Sequence, residues 1–420
     1  MKTIKSFDIS KSLVWQAYKL VRANKGAAGV DAQSLGYFET NLGNNLYKIW
    51  NRISSGSYYP PAVKAVEIPK KDGGVRVLGV PTVSDRIAQM VAKLYLEPKL
   101  DPIFHKDSYG YRPRKSAHQA LSITRQRCWN INWVLEFDIK GLFDNIDHKL
   151  LMKALKLHTQ CNWVLLYTER WLVAPMQNAE GKVLERDKGV PQGGVLSPVL
   201  SNLFLHYAFD KWMQLNYPNV LFCRYADDGL LHCKSLEQAE HLRGALEKRF
   251  SECGLELHPK KTKLVYCKDR NRRGNYENIS FDFLGYTFRP RKCKDKYDRY
   301  FCNFTPSLSD TAAKEMRQTV RRWRIQLKSD KSIEDISKMF KPILQGWVNY
   351  YCLFHKTSYR QNAEQLNRSL TRWAMRKYKK LKGHKRRATH WLGMIARRQP
   401  ELFPHWKIGF RPSVGIMGAE

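Results

Sequence analysis

Leu221-Phe222-Cys223-Arg224-Tyr225-Ala226-Asp227-Asp228-Gly229-Leu230-Leu231-His232-Cys233 sets two adjacent acids between two short apolar runs. The runs read as strands and Asp228-Gly229 as a hairpin-turn dipeptide, so the acids are expected at a hairpin tip. Neighbouring strand residues point to opposite faces, and an acidic doublet aims two carboxylates at one place only where the backbone turns. Upstream, Val134-Leu135-Glu136-Phe137-Asp138-Ile139 reads as a second strand, with Gly141 breaking it and Asp138 near its end. Hard divalent cations such as Mg2+ take carboxylate oxygens and substrate phosphates. Three aspartates so placed suit two-metal nucleotidyl transfer, with ions about 3.5–4 Å apart activating a primer 3'-hydroxyl and stabilising the leaving pyrophosphate. An isolated Asp-Asp-Gly is a solvated turn in most proteins, so its meaning comes from its surroundings.

Charge supplies one constraint. The 420 residues include 73 Lys plus Arg against 38 Asp plus Glu, a formal net charge of +35. Such an excess implies a polyanionic partner, most simply nucleic acid. A membrane surface is the competing polyanion, but no apolar run approaches the length of about 18 residues that a span needs, and Met1-Lys2-Thr3-Ile4-Lys5 lacks an apolar signal core. A soluble intracellular protein is expected. The nine cysteines are scattered without Cys-x-x-Cys pairs, which suggests neither disulfide framework nor zinc site.

Periodicity organises the remainder. Leu13 to Val21 reads as a helix, then Val63–Ile68 and Val75–Val80 as a hairpin about Lys71-Asp72-Gly73-Gly74. Asp85 opens a helix with an apolar stripe of Ile87, Met90, Val91 and Leu94, which puts Lys70 beside the turn and Arg86 in the first helical turn. Pro191-Gln192-Gly193-Gly194 precedes Ser197-Pro198, a helix start with Ser as N-cap. Ser235 and Gln238 form a capping box ahead of a stripe at Leu236, Ala239, Leu242, Leu246 and Phe250, expected behind the acid-bearing sheet. Antiparallel strands interleaved irregularly with helices define an α+β palm. No Gly-x-Gly-x-x-Gly follows a first strand, which argues against a Rossmann domain.

These motifs stand in one order with Asn24-Lys25-Gly26-Ala27-Ala28-Gly29-Val30-Asp31, Ile68-Pro69-Lys70, Pro81-Thr82-Val83-Ser84-Asp85-Arg86, Ser108-Tyr109-Gly110-Tyr111-Arg112-Pro113, Phe143-Asp144, Lys261-Thr262-Lys263 and Phe283-Leu284-Gly285-Tyr286. Taken together, over nearly the whole chain, the sequence resembles the reverse transcriptases encoded by bacterial group II introns, the intron maturases. The resemblance implies a right-hand polymerase, fingers and antiparallel-sheet palm followed by an all-helical thumb or maturase domain. Its expected limits are 1–295 for fingers and palm (fingers about 1–125, palm about 126–295), 300–375 for the thumb, and 376–420 for a basic C-terminal segment. Many relatives add a zinc-type endonuclease with Cys pairs, and none is expected here.

The same resemblance implies roles for residues. Asp138, Asp227 and Asp228 would be catalytic, and with Ile139 would hold two Mg2+ ions, Mn2+ being a possible substitute. Lys70, Arg86, Arg112, Phe143, Gln192 and Lys261 would bind the nucleotide. Lys70 and Arg86 would grip the triphosphate, Lys as a point charge and Arg as a planar fork. Phe143 would pack under the sugar, where a ribose 2'-hydroxyl would collide or lose its hydrogen-bond partner. Gln192 would face the sugar or base. Lys261 would contact phosphate or protonate pyrophosphate, and Arg112 would hold template or nucleotide, unless it forms a structural ion pair.

From about Ser309 the chain becomes basic amphipathic helix. Met316, Val320, Trp323 and Leu327 form one stripe, and Arg317, Arg321, Arg324 and Lys328 follow at the same spacing on an adjoining face. Leu366, Leu370 and Trp373 line up beside Arg368, Arg372 and Arg376, and no acid appears between Glu364 and Glu401. Solvated helices mix signs, so this reads as a thumb with one face on a phosphate backbone. Lys379, Lys380, Arg386 and Arg387 extend it. Gly346-Trp347-Val348-Asn349-Tyr350-Tyr351 resembles the maturase-domain signature, its aromatics free to stack on RNA bases or to pack in a core.

The expected function is RNA-directed DNA synthesis with an intron RNA-binding splicing role. Expected partners are group II intron RNA, an RNA template with DNA primer, target DNA and dNTPs, in the bacterial cytoplasm and at the nucleoid when acting on DNA. Two alternatives remain open here: a splicing factor without polymerase activity, and a reverse transcriptase repurposed for host repair or phage defence.

Overall fold

Trp133–Asp138 runs antiparallel to Asp228–Cys233, with Asp138 opposite Asp228 and Phe137 opposite Gly229, and the acid-bearing unit is built around that pair. The structure, a computed structural model, describes residues 6–69, 73–294 and 297–412. Lys70 and the adjoining turn positions 71 and 72 lie outside the described residues. The chain divides into two compact units, Met1–Ala120 with Trp133–Leu264, and Leu121–Asn132 with Val265–Glu420.

The first unit opens with α1 (Lys11–Ala23), α2 (Leu35–Glu39), α3 (Leu42–Ser55), β1 (Val63–Pro69), β2 (Val75–Val80) and α4 (Val83–Leu100). After α5 (Ala117–Asn130), which crosses between units, come β3 (Trp133–Asp138), α6 (Leu142–Asn145), α7 (His148–Lys156), α8 (Asn162–Val173), β4 (Met176–Gln177) and β5 (Val183–Leu184). Next are α9 (Ser197–Leu205), a π turn over His206–Asp210, α10 (Lys211–Asn216), β6 (Leu221–Tyr225), β7 (Asp228–Cys233), α11 (Leu236–Glu252) and β8 (Lys263–Tyr266). One sheet has the order β2-β1-β4-β5 and the other β6-β7-β3-β8.

Burial explains the central strands. Val134, Leu135 and Phe137 on β3, and Leu230, Leu231 and Cys233 on β7, are all buried, so both faces of the sheet are covered. The stripe Ala239, Leu242, Leu246 and Phe250 of α11 is buried as its spacing predicts, with the Phe250 ring 5.9 Å from Phe137. Each such large side chain contributes about 1.5–3 kcal/mol. The Phe137 ring needs Gly229 opposite it, since a Cβ there would stand 2.1 Å from its Cζ.

Two local expectations change. The β6–β7 turn is Ala226-Asp227, with Ala226 at φ +57°, and Asp228 and Gly229 already lie in β7. Ser197 is the first residue of α9 rather than its cap, and its hydroxyl donates to the Pro191 carbonyl at 2.8 Å, closing the preceding loop on itself.

The second unit contains β9 (Phe281–Phe283), β10 (Tyr286–Lys294), β11 (Tyr300–Leu308), α12 (Asp310–Arg322), α13 (Ile333–Tyr351), α14 (Arg360–Lys377), α15 (Lys385–Arg398) and α16 (Pro404–Lys407). Its sheet order is β11-β10-β9. One core joins Leu366, Leu370 and Trp373 to Leu392, Ala396, Phe403 and Trp406. Position 375 falls inside α14, and Leu392, Ala396, Phe403 and Trp406 beyond it belong to the same core. The two compact units divide at Leu264 and Val265, and within the second β9 and β11 both pair with β10. Among the described residues no helix is long and apolar enough to cross a membrane.

Candidate functional site

The acids gather through backbone geometry. Asp138 ends β3 directly across from Asp228, and Asp227 occupies the turn that joins β6 to β7. Burial comes first in lifting the Asp228 carboxyl to about 7, and the charges of Asp227 and Asp138, with a hydrogen bond to Asp138, add to it. Burial likewise raises Asp227, helped by Asp138. Lys261 donates to Asp138 Oδ2 at 3.0 Å. Burial opposes its ammonium, but that hydrogen bond and the charges of Asp138, Asp228 and Asp227 outweigh it and raise Lys261 above the ordinary lysine value. Clustered carboxylates that hold a proton above its usual range are short of positive charge, which a divalent cation would supply. Ile139 is buried and offers only its backbone carbonyl as a ligand. Among the described residues no three acid, His or Cys side chains already stand as a closed metal cage. The donor set is nonetheless the hard oxygen set that Mg2+ or Mn2+ takes.

A buried charge braces the turn. Arg224, fully buried, donates from Nε and Nη2 to the Asp210 carboxylate at 2.8 and 2.7 Å, and from Nη1 to the Ala226 carbonyl at 3.1 Å and Asn202 Oδ1 at 3.2 Å. The Tyr109 N–H donates to the Arg224 carbonyl at 2.8 Å, so the Ser108–Tyr111 stretch runs along this strand. Gly110 lies so close to the turn that a Cβ would stand 2.4 Å from the Ala226 nitrogen. A two-toothed Arg–carboxylate pair out of water is held rigidly.

The residues expected at the nucleotide divide into two groups. Gln192 donates to both oxygens of Asp144 at 3.1 Å and accepts from Arg76 Nε at 2.6 Å. Its backbone carbonyl accepts from the Gly79 N–H at 2.7 Å, fastening its loop to β2. Phe143 is buried one residue before Asp144, with the Tyr111 ring 6.4 Å away and nearly perpendicular. Arg112 and Arg86 are instead engaged elsewhere. Arg112 donates from Nε to Asp101 Oδ1 at 2.6 Å, from Nη1 to the His105 and Ser108 carbonyls and from Nη2 to the Asp101 carbonyl, each at 2.8 Å, so the ion-pair alternative is the one observed. Arg86 donates to the Ala27 carbonyl at 2.6 Å, and its guanidinium fills the space a Gly26 Cβ would take.

Sequence reasoning missed several of these residues. Arg76 sits between Val75 and Val77 on β2, and its charge reaches Asp227. Its alternation within an apolar strand was a readable signal. Gln89 was not readable: its Oε1 accepts from the Val195 and Leu196 N–H groups at 2.8 and 3.4 Å, and its Nε2 donates to Asp85 Oδ2 at 2.9 Å. Buried Asp85 also accepts from Tyr58 Oη at 2.8 Å and Trp171 Nε1 at 2.7 Å. Because Asp85 only accepts, the Gln89 amide must turn its oxygen toward the loop after Gln192.

In the second unit, α12 ends at Arg322, and Arg324 takes a left-handed φ of +46°, so Arg324 and Lys328 do not continue the face of Arg317 and Arg321. Arg317 donates to Asn362 Oδ1 at 3.1 Å. Arg321, Arg368 and Arg372 line one cavity of about 250 Å3 with Gln326, Gln365 and Ser369. Arg376, Lys379, Lys380, Arg386 and Arg387 are exposed. The aromatics of the 346–351 signature pack: Trp347 stacks on Trp323 at 5.6 Å, and Tyr350 and Tyr351 lie 5.7 and 5.6 Å from Tyr286.

Sheet, acids and helical C-terminal region together define a right-hand polymerase. The reverse transcriptase (RNA-dependent DNA polymerase) family matches residues 68–288, and the group II intron maturase-specific domain matches residues 313–391. The chain belongs to the reverse transcriptase family and carries that maturase domain. It is 30% identical over 298 residues to protein YkfC of Escherichia coli K12, covering 60% of this chain and 77% of that protein. It is 33% identical over 214 residues to the group II intron-encoded protein LtrA of Lactococcus lactis, covering 48% of this chain and 33% of that protein. The match to the putative COX1/OXI3 intron 1 protein of Saccharomyces cerevisiae is 27% identical, over 64% of this chain and 32% of that one. The chain thus spans about a third of these last two relatives. The solved telomerase of Candida albicans aligns at TM-score 0.47 and 14% identity, over 87% of this chain and 69% of that one.

Proposed function

We propose that this protein synthesises DNA on an RNA template, extending a DNA primer with dNTPs, and that it binds group II intron RNA as a splicing cofactor. The observation that carries the first half is the ladder pairing of Asp138 with Asp228 beside the turn residue Asp227. Asp138, Asp227, Asp228 and the Ile139 carbonyl would hold two Mg2+ ions, or Mn2+ in their place. When bound, the ions supply Lewis acidity to the attacking 3'-hydroxyl and neutralise charge on the leaving pyrophosphate.

The chain's own residues bind and orient. Arg76 and Lys261 bring positive charge to the triphosphate side, Lys261 being held at Asp138 until phosphate competes for it. Gln192 presents its amide at the sugar edge, and Phe143 forms the apolar floor that leaves a ribose 2'-hydroxyl without a partner. Arg112 braces the 101–108 loop, and Arg86, whose Nη2 holds the Ala27 carbonyl, would turn its remaining N–H groups to the triphosphate. Asp138 accepts from Lys261 at Oδ2, which keeps its carboxylate oriented.

The second half rests on charge placement in the 313–391 domain. Arg321, Arg368 and Arg372, with the exposed cations from Arg376 to Arg387, would contact the phosphates of intron RNA and of target DNA, setting affinity and salt dependence rather than sequence choice. The protein would work in the bacterial cytoplasm and at the nucleoid. Primer extension on poly(rA)/oligo(dT) with Mg2+ tests the polymerase reading, and absence of any product from folded protein refutes it.

A further inference from the structure

Tyr111 carries a bulky side chain at φ +57°, in the left-handed region that such residues rarely occupy. The surrounding loop leaves it no choice. On one side, Gly110 is pressed against the Ala226 backbone, and its carbonyl accepts from Asn202 Nδ2 at 2.8 Å. On the other, the Arg112 guanidinium is spent on the 101–108 loop, clamping the chain just past Tyr111. Strain held by over-determined neighbours points to a role for the residue it presents.

What is presented is a tyrosine left 48% exposed. It meets Phe143 edge to face, with centroids 6.4 Å apart and planes at 74°. The surrounding charges are those of the active centre, since Asp227, Asp228 and Arg76 all act on the phenol. Phe143 itself lies in the short α6, just past the Gly141 cap, and has Tyr111 as a near-perpendicular neighbour. Edge-to-face pairs prefer a defined plane, so the Tyr111 ring restricts how Phe143 can tilt.

We propose that Tyr111 is a positioning residue for nucleotide sugar selection: its ring, held by the strained loop, fixes the plane of Phe143, so that discrimination against ribonucleotides belongs to the pair. This rests on the reading of Phe143 as the floor under the sugar. A geometric preference of the aromatic pair corresponds to about a threefold to tenfold change in selectivity.

The test is a double-mutant cycle on the ratio of kcat/KM for dNTP over rNTP, with thermal unfolding of each variant. Tyr111→Gly suits the left-handed backbone and removes only the ring, so unfolding should occur at or above the wild-type temperature while the ratio falls about threefold to tenfold. Tyr111→Phe should keep the ratio, because the edge contact needs no hydroxyl. In a Phe143→Ala background Tyr111→Gly should change the ratio no further. If Phe143→Ala leaves the ratio unchanged, the sugar-floor reading fails. If Phe143→Ala relaxes selection but Tyr111→Gly does not, or acts equally in both backgrounds, the pairing proposed here is overturned.

Discussion

Asp138 and Asp228 stand directly opposite each other in one antiparallel ladder, and the Asp138 charge helps burial raise the Asp228 carboxyl. The pairing follows from sheet register, which a slip of one residue would destroy by turning one acid to the other face. The chemistry therefore depends on β3 and β7 keeping step, and Gly229 beneath the Phe137 ring allows no other residue at the adjoining position.

Asp227→Ala with Asp228→Ala should reduce DNA synthesis by on the order of a thousandfold or more, since the cation ligands go with them. Binding of group II intron RNA, measured by filter retention, should persist, because the arginines of α12 and α14 belong to another unit. Loss of RNA binding in folded double variant would contradict separate sites.

Arg224→Met leaves Asp210 buried and unpaired, and should cost about 3–5 kcal/mol in chemical denaturation. Adding Asp210→Leu should recover much of the loss. If Arg224→Met alone unfolds at the wild-type denaturant concentration, the bond network around Ala226 is not holding the turn.

Gln89→Met removes the acceptor for the Val195 and Leu196 N–H groups and a donor to Asp85. A cost of about 1–3 kcal/mol is expected, since these groups stay buried. Because the affected loop carries Gln192, steady-state kinetics should show the KM for dNTP rising more than kcat falls. An unchanged KM would detach Gln89 from nucleotide binding.

Burial holds the His405 imidazole at about 3, far below its ordinary value. Between that value and the unfolded value near 6.5 the unfolded chain binds the extra proton, so stability is full above about pH 6.5 and falls as pH drops, by up to about 1.4 kcal/mol per unit. His405→Phe should flatten this slope. Asn367 Oδ1 would still accept from Trp406 Nε1 at 2.8 Å, so the substitution leaves that acceptor satisfied. Tryptophan fluorescence across pH 4–7 in urea reads the difference, and equal slopes would assign the acid sensitivity elsewhere.

Arg368→Gln and Arg372→Gln should each weaken RNA binding similarly across sequences and reduce the slope of log affinity against log salt by about 1. A sequence-dependent loss with unchanged slope would mean base contacts instead.

Local signals were legible wherever one segment determines its own state. The hairpin Val63–Pro69 with Val75–Val80 and the α11 stripe from Ala239 to Phe250 appear as their periodicity requires. Ends were less legible. Asp-Gly favours a turn, yet the β6–β7 hairpin closes one position earlier, because pairing Asp228 across from Tyr225 and Asp138 outweighs the dipeptide's local preference. The stripe through Arg324 and Lys328 failed because the backbone leaves the helix at Trp323 and no periodicity carries through a left-handed residue.

The chemical identity of this protein was written in its residues: three aspartates in two strand-like segments, a Gln-Gly-Gly loop, and an excess of cations over anions. Charge and hydrogen-bonding capacity are properties of side chains and need no fold to be read. Which partner each side chain meets was decided only by tertiary structure. Arg112, Arg86 and Arg224 look alike as exposed cations in a string of letters, yet each is bound to a carbonyl or carboxylate, and Arg224 is wholly buried with Asp210. A guanidinium pays to leave water only when distant segments supply acceptors in its own plane, and that supply exists only once the chain has folded.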